Sequence, residues 1–320
     1  MHWNNCIFSW KTMSILPPFT LRRMTGKAKR NPKISVSDLH RYSWRYQLVE
    51  FSRCYHTVAL DLRGCGNSEA PSQLEDYSLE KLLYDIRDTI DELGHTSCIL
   101  VGHDWGGMLA WHFALERPDM VQRLVIMNAP HPASWLDAVL RRPSQLLRSG
   151  HACFFQLPFL PEIALSLEDF KLVRSMLCGG RVGIRNRARR LTEAQLEGYL
   201  YRLSHPGALT ASLNYYRSLL SNTLYKHQDV AVTSMLIWGE EDNILVEGMS
   251  GGTRPYVRGP VVVHTIPDCS HWVQQDQPEV VNNLLWDFLL DRDSVSNHTT
   301  HGLFSSASAS GALNGDSRNL

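Results

Sequence analysis

Net charge is the first thing this sequence lacks. Its 32 lysines and arginines are matched by 32 aspartates and glutamates, so no global field draws the chain toward nucleic acid or an anionic surface. Paired cysteines are also missing. The 7 cysteines are scattered and odd in number, and none forms a CxxC pair. That excludes a disulfide frame and a cysteine zinc site, and it reads as reduced thiols in a reducing compartment. No run approaches the roughly 18 apolar residues of a membrane-spanning helix. Near the start, Ile15–Leu21 is interrupted by Pro17 and Pro18, so no signal peptide is read there. The expected location is the cytoplasm or the cytoplasmic side of a membrane. No metal and no cofactor is expected.

The 320 residues, 43% of them hydrophobic, suffice for a full core. Residues 1–32 mix tryptophans, prolines and a basic cluster and read as an irregular, solvated segment. From there apolar runs and amphipathic spacing alternate. Ser43–Phe51 has helical spacing, and His56–Leu62 reads as a buried strand. In Tyr77–Gly94 the residues Leu79, Leu82, Leu83, Ile86, Ile90 and Leu93 recur at helical steps, with Ser78 at the N-cap and Gly94 past the end. Strands are expected at Cys98–Val101 and Arg123–Asn128, with a helix at Met108–Glu116 between them. This alternation is the pattern of a parallel sheet with helices on its faces. After Asn128 the strands stop, and they resume at Thr233–Trp238 and Val261–Ile266 before a closing helix, Glu279–Leu290. The expected division is a core over 33–130 and 228–290, a helical cap over 131–227, and a disordered tail over 291–320 rich in Ser, Asn, Gly and Thr. In that tail Asn297-His298-Thr299 matches the glycosylation triplet by chance.

The most informative stretch is Cys98–Gly107, CILVGHDWGG. Gly102 and Gly106 stand two residues either side of Asp104. Small residues around a nucleophile between strand and helix mark a nucleophile elbow, and glycine suits the crowded turn and its positive φ. A carboxylate sits where serine is usual, which disfavours a serine esterase. It is charged at neutral pH and attacks without a base. The resulting ester must then be cleaved by water, so a base and a group to orient that base are needed. Two later strand ends supply candidates: Glu240, Glu241 and Asp242 after one, and His271 after the other. Catalytic groups collect at such ends in open α/β sheets, and the order nucleophile, acid, histidine is that of the α/β-hydrolases. His271 is expected as the base, while the residues alone leave the acid open among the three. His103 and His112 flank the elbow, point elsewhere by strand and helix phase, and are expected to be structural.

GHDWGG, the Asp61–Ser68 turn (DLRGCGNS), SWRYQ, NYYR, WGEED and SHWVQQDQPE together resemble the epoxide hydrolase family of α/β-hydrolases, over roughly residues 43–290. The match is nearest the vertebrate epoxide hydrolase 3 and 4 branch. The resemblance implies an α/β-hydrolase fold with an inserted helical cap, an Asp104 alkyl-ester intermediate and hydrolysis of an epoxide to a vicinal diol. It selects Asp242 as the acid and Trp105 as the donor of one oxyanion N–H. Two lid tyrosines hydrogen-bond the epoxide oxygen in this family. One matches Tyr216, with Tyr215 its neighbour; the position of the other holds His151, which can also donate. The family's HGxP turn, source of the second oxyanion N–H, is missing: Ser35-Val36-Ser37-Asp38 stands in its place. The strand before it, Lys29–Ile34, is a poor central strand, although Lys33–Ser37 alternates. The N-terminal strands are thus expected to be incomplete, an alternative or misassembled first segment being joined to an intact enzyme body, and turnover to be impaired. Relatives carry an N-terminal membrane anchor that is not read here. The implied partner is a small epoxide, apolar or lipid-like given Leu, Phe and Trp in the lid, with no nucleic acid; the oligomeric state is unknown. The competing readings are a haloalkane dehalogenase-like hydrolase, against which Tyr216 speaks, and a catalytically weak isoform acting as a binding protein.

Overall fold

Strands that are buried on both faces need near-continuous apolar runs and a helix after each strand to carry the chain back. CILVGH and SMLIWG have that composition, and each is buried along its whole length. The computed structural model describes residues 32–37, 41–180, 182–222, 229–245 and 248–291. Expectations for 1–31, 38–40 and the tail from 292 lie outside the described residues. The chain divides into two compact units. Residues 1–281 hold the sheet and all that concerns the site. Of 282–320, the described part is the end of the last helix.

The strands are β1 (Pro32–Ser37), β2 (His56–Asp61), β3 (Cys98–His103), β4 (Val121–Met127), β5 (Ser234–Gly239) and β6 (Val261–Ile266). They form one sheet in the order β2-β1-β3-β4-β5-β6 with every pairing parallel. Helices α1 (Arg45–Phe51), α2 (Leu79–Glu92) and α3 (Asp104–Glu116) belong to the first half of the core. In α2 the residues Leu79, Leu82, Leu83, Ile86 and Ile90 are buried; Ser78 occupies the N-cap position without a side-chain cap bond, and Gly94 follows with φ +75°. Met108 does not open α3, as its sequence had suggested. The helix starts at Asp104, because the elbow turn leads straight into it.

Lys29–Ile34 looked unfit for a central place, whereas Lys33–Ser37 alternates, and it is Pro32–Ser37 that sits between β2 and β3. Lys33–Val36 pair with Ile99–Gly102 on one side, and Pro32 and Ser37 pair with His56 and Asp61 on the other. Proline stands at the first position of the strand, where its missing N–H interrupts the ladder least. The chain turns from one half of the sheet to the other between β1 and β3, and crevices at such switch points hold ligands beyond the carboxyl ends of the strands.

Between β4 and β5 the described chain is helical: α4 (Pro132–Arg141), α5 (Pro143–Arg148), α6 (Gly150–Phe154), α7 (Leu160–Cys178), α8 (Glu193–Leu203) and α9 (Ala208–Asn222). Here α7 is broken at Leu167–Phe170, where Glu168, Asp169 and Phe170 take positive φ. A reciprocal capping box of Thr192 and Gln195 fixes the start of α8. These helices have a small core of their own, including Leu177, Leu196, Leu200 and Leu213, which meets the sheet domain at Trp272. Short α10 (Met249–Thr253), α11 (Val273–Asp276) and α12 (Pro278–Leu289) complete the elements.

Candidate active site

Asp104 follows β3 directly and carries φ +49°. For a residue with a side chain this is the strained left-handed region, found where surrounding structure overdetermines the backbone. The positive φ of the elbow therefore lies on the aspartate itself, since neither Gly102 nor Gly106 has one. The glycines serve close approach instead. A Cβ on Gly102 would stand 2.5 Å from the Gly106 carbonyl oxygen and 2.7 Å from the Gly107 Cα, and one on Gly107 would stand 2.5 Å from the Ala129 Cβ. Gly107, which the motif had not singled out, thus joins Gly102 in letting α3 lie against the sheet.

Three side chains from three strand ends converge here. His271 places Nε2 3.1 Å from Asp104 Oδ1 and Nδ1 2.8 Å from Asp242 Oδ2. His271 and Asp242 are buried, while the Asp104 side chain keeps 23% of its exposure. Glu240 and Glu241 do not take the place of Asp242. The Glu240 N–H donates to the Ile266 carbonyl at the end of β6 and the Glu241 N–H to the Cys269 carbonyl in the turn after it, and of the three acids Asp242 is the one that reaches the ring. The Ile244 and Leu245 N–H groups donate to Asp242 Oδ1 at 2.8 and 3.0 Å, and Asn128 Nδ2 donates to Oδ2 at 2.7 Å. Burial alone would raise the Asp242 pKa. The His271 charge and these donors outweigh it, so the group titrates below its ordinary value. Burial likewise pushes His271 down, but the Asp242 charge, the Asp104 hydrogen bond and the Asp242 hydrogen bond lift it well above its ordinary value. The ring lies between two carboxylates, an arrangement that favours its protonated form.

Sequence reasoning missed Asn128. It is fully buried at the end of β4 with φ +41°, a conformation asparagine tolerates better than most residues. Besides its bond to Asp242, its Oδ1 accepts from the Gly239 N–H at 3.1 Å. Its place just past a strand, at the carboxyl edge, was the available signal. The reading of His103 as pointing away from the site needs correction. As the last residue of β3 it donates from Nε2 to the His271 carbonyl at 2.9 Å, and its ring lies 4.8 Å from that of His271. His112 stands apart, buried near His131, and burial drops its pKa to about 3.

A cavity of about 370 Å³ opens above these groups, lined by Asp104, Trp105, His271 and Trp272 from below and by His151, Phe155, Leu213 and Tyr216 from the inserted helices. Its wall is largely apolar. Trp105 is the second residue of α3, so its N–H has no acceptor within the helix. The Tyr216 ring packs edge-on against Trp105 at 4.8 Å and against Phe155 at 4.9 Å. Tyr215 touches the cavity wall, but its hydroxyl donates to the Arg63 carbonyl at 2.6 Å and its ring packs on Tyr77. That phenol is committed elsewhere. His151 lies 5.9 Å from the Tyr216 ring, and its Nδ1 bonds the Arg148 carbonyl at 2.8 Å. A carbonyl only accepts, so Nδ1 carries hydrogen and Nε2 becomes a donor only when the ring is protonated. Among the described residues no cluster of His, Cys, Asp and Glu suits a metal ion.

The alpha/beta hydrolase fold family matches residues 37–278. The chain is 50% identical over 266 residues to epoxide hydrolase 3 of Xenopus tropicalis, covering 82% of this chain and 72% of that one. It is 44% identical over 248 residues to epoxide hydrolase 4 of Homo sapiens, covering 78% and 68%. The chain belongs to the epoxide hydrolase family of α/β-hydrolases. Within it, the epoxide hydrolase of Bacillus megaterium solved with an inhibitor superposes with a TM-score of 0.71 at 31% identity, over 80% of this chain and 92% of that one. A single-residue mutant of the same enzyme, solved with its product (R)-3-[1]naphthyloxy-propane-1,2-diol, superposes equally well, with a TM-score of 0.71 and the same coverage. This epoxide hydrolase family member is accordingly a hydrolase with an elbow carboxylate in place of a serine.

Proposed function

We propose that the chain hydrolyses an apolar epoxide to a vicinal diol through an ester on Asp104. The observation that carries the reading is His271 lying between Asp104 and Asp242, at 3.1 and 2.8 Å, beneath a lid phenol in one apolar cavity. An Asp104 oxygen attacks an epoxide carbon, the C–O bond breaks, and the ring oxygen takes the Tyr216 proton. Such help is needed because an alkoxide is a poor leaving group. Esterification removes the Asp104 charge that helps hold His271 protonated. Its pKa falls, the imidazolium returns a proton to the Tyr216 oxygen through solvent, and the neutral ring becomes a base. It then takes a proton from water as the oxygen of that water adds to the Asp104 carboxyl carbon. The ester bond breaks, the remaining proton of the water goes to the diol oxygen, and Asp104 and the imidazolium are restored.

The oxyanion of the second step faces the Trp105 N–H. The HGxP segment that supplies the family's other donor is replaced by Ser35–Asp38. Loss of one such donor costs about 10²–10³ in rate, so hydrolysis of the ester limits turnover. The experiment is a single turnover of styrene oxide in ¹⁸O-water. The first diol is expected to carry no label, and the Asp104 peptide is expected to gain one heavy oxygen. Label in that first diol, with none on Asp104, would overturn the reading. Faster turnover of a bromoalkane than of styrene oxide would move it to a dehalogenase.

A further inference from the structure

The SHWVQQDQPE stretch supplies His271, while its other polar residues play no part in the steps above. They are buried all the same: Gln274, Gln275 and Asp276 expose no surface. Asp276 is the unusual member. Among the described residues no cation pairs with it, and its two oxygens accept from N–H groups alone. A buried carboxylate with no cation is among the costliest groups a fold can hold, so what its oxygens secure indicates its role.

Asp276 Oδ2 accepts from the Ser270 N–H at 2.7 Å, one residue before the base. Asp276 Oδ1 accepts from the Asn186 N–H at 2.7 Å, and Asn186 Nδ2 donates to the Asp276 carbonyl at 3.1 Å. Asn186 belongs to the inserted helical segment, between α7 and α8. One carboxylate therefore holds the backbone beside His271 with one oxygen and the wall of the cavity's upper half with the other. On the far side of the base the His271 carbonyl accepts from His103. The neighbours of Asp276 repeat the arrangement. Gln275 Oε1 accepts from Arg45 at 2.7 Å and from the Tyr199 hydroxyl of α8 at 3.3 Å, and Trp272 Nε1 donates to the Met176 carbonyl of α7 at 3.2 Å. Placement is critical for this ring, which must keep Asp242 on one nitrogen and meet water beside Asp104 with the other. A displacement of about 1 Å can cost about 10² in rate.

We infer that Asp276 is a positioning residue for His271, setting the ring through Ser270 and coupling its placement to the seating of the inserted helices through Asn186. The inference rests on the reading of His271 as the base of ester hydrolysis. Attack by Asp104 does not use that base, so the effect falls on the second step.

The test uses the full chain and styrene oxide, with formation and decay of the Asp104 adduct read separately by intact mass. Asp276→Asn keeps one acceptor and turns an amide N–H toward the other donor. It is expected to slow decay about 10²-fold and to leave formation within about threefold of wild type. Asn186→Pro removes the Asn186 donors and leaves the Asp276 charge in place; the Asn186 φ of −61° is one that proline adopts. It is expected to slow decay about tenfold. The pH midpoint of decay is expected to fall as well, because a ring drawn away from Asp242 loses the charge that lifts its pKa. Melting curves establish that each variant is folded, and if Asp276→Asn does not fold, Asn186→Pro decides the matter. Equal slowing of formation and decay would overturn the inference, since that marks a general structural role. Wild-type decay in either variant would also overturn it. Failure of the wild-type Asp104 peptide to gain heavy oxygen in ¹⁸O-water would overturn the reading of the reaction and this inference with it, whereas a labelled Asp104 with unchanged decay in the variants would overturn the inference alone.

Discussion

Replacing Asp242 by asparagine separates the two halves of the proposed reaction. The change is nearly isosteric. The new side-chain oxygen can still accept from the Ile244 and Leu245 N–H groups, which lie 2.8 and 3.0 Å from Asp242 Oδ1. Its amide nitrogen then faces His271 Nδ1 and the Asn128 amide, where Oδ2 now stands 2.8 and 2.7 Å away. A donor presented to Nδ1 forces the proton of the neutral ring onto Nε2, the nitrogen that must take a proton from water. The same substitution in a Ser-His-Asp triad costs about 10⁴ through the wrong tautomer, or about 5.5 kcal/mol of barrier. Attack by Asp104 needs neither Asp242 nor a neutral histidine, so formation of the ester is expected to stay within about tenfold of wild type.

The assay follows from that asymmetry. Enzyme and styrene oxide are mixed, quenched at intervals and weighed intact, and the isolated adduct is then left to decay in buffer. In Asp242→Asn the adduct is expected to form at nearly the wild-type rate and to decay about 10⁴ times more slowly. The donor facing the Asn128 amide costs about 1–3 kcal/mol of stability, so a melting curve establishes that the variant is folded. Equal losses in formation and decay, or an adduct that decays at the wild-type rate, would refute the assignment of Asp242 as the group that orients the base.

Three further predictions address other parts of the site and fold. Tyr216→Phe removes the lid phenol beside Trp105 and is expected to slow ester formation by about 10²–10³, leaving decay of a preformed adduct unchanged. An unaltered formation rate would shift the proton donor to His151. Gly102→Ala drives a Cβ to 2.5 Å from the Gly106 carbonyl oxygen. It is expected to cost about 3 kcal/mol, a fall of roughly 4–6 °C in melting point for a chain of this size; an unchanged melting point would show that the elbow relaxes. His112 titrates at about 3 in the fold because burial, with His131 nearby, disfavours its charge. Its unfolded value is about 6.5. A depressed folded pKa gives stability that is present above the unfolded value and lost as pH falls. Between about 6.5 and about 3, His112 alone is therefore expected to remove about 1.4 kcal/mol per pH unit. Urea midpoints against pH measure this slope, and His112→Gln is expected to flatten it.

What was legible in the sequence was what period and chemistry encode locally. Strands β3, β5 and β6 announced themselves as short apolar runs, and α2 as an apolar stripe. The elbow was readable because a strand, two flanking small residues and an aspartate occur in one short stretch. Groups that act through space were harder to read. Asn128 is one residue past a strand and has no motif of its own. Its importance appears only when β4 and β5 lie side by side and its amide meets Asp242 and the Gly239 N–H. His103 was read as turned away because helical and strand phase say nothing about a contact 168 residues further on. β1 was only partly legible, through the alternation of Lys33–Ser37, for a related reason. A central strand takes its stability from two neighbours, and Pro32–Ser37 finds both although its own composition is weak. The positive φ of Asp104 was assigned to its glycines because propensity favours glycine, whereas packing decided the matter.

In the proposed reaction the two carboxylates contribute unequally to one histidine, and that inequality gives the order of events. Asp242 is buried and fixed by Asn128 and two backbone amides, so its charge persists throughout. Asp104 is partly exposed and becomes esterified, so its charge comes and goes. While both are charged, His271 is an imidazolium and cannot abstract a proton from water, so hydrolysis does not compete with attack on the epoxide. Once Asp104 is esterified, one of the two charges that raise the histidine pKa is gone while burial still lowers it. The base therefore appears only when there is an ester to cleave. The adduct of wild-type protein is accordingly expected to decay faster as pH rises and the Asp242-held imidazolium gives up its proton, whereas formation of the adduct, which needs no base, stays flat across the same range. A decay rate independent of pH across the same range would remove His271 from the second step.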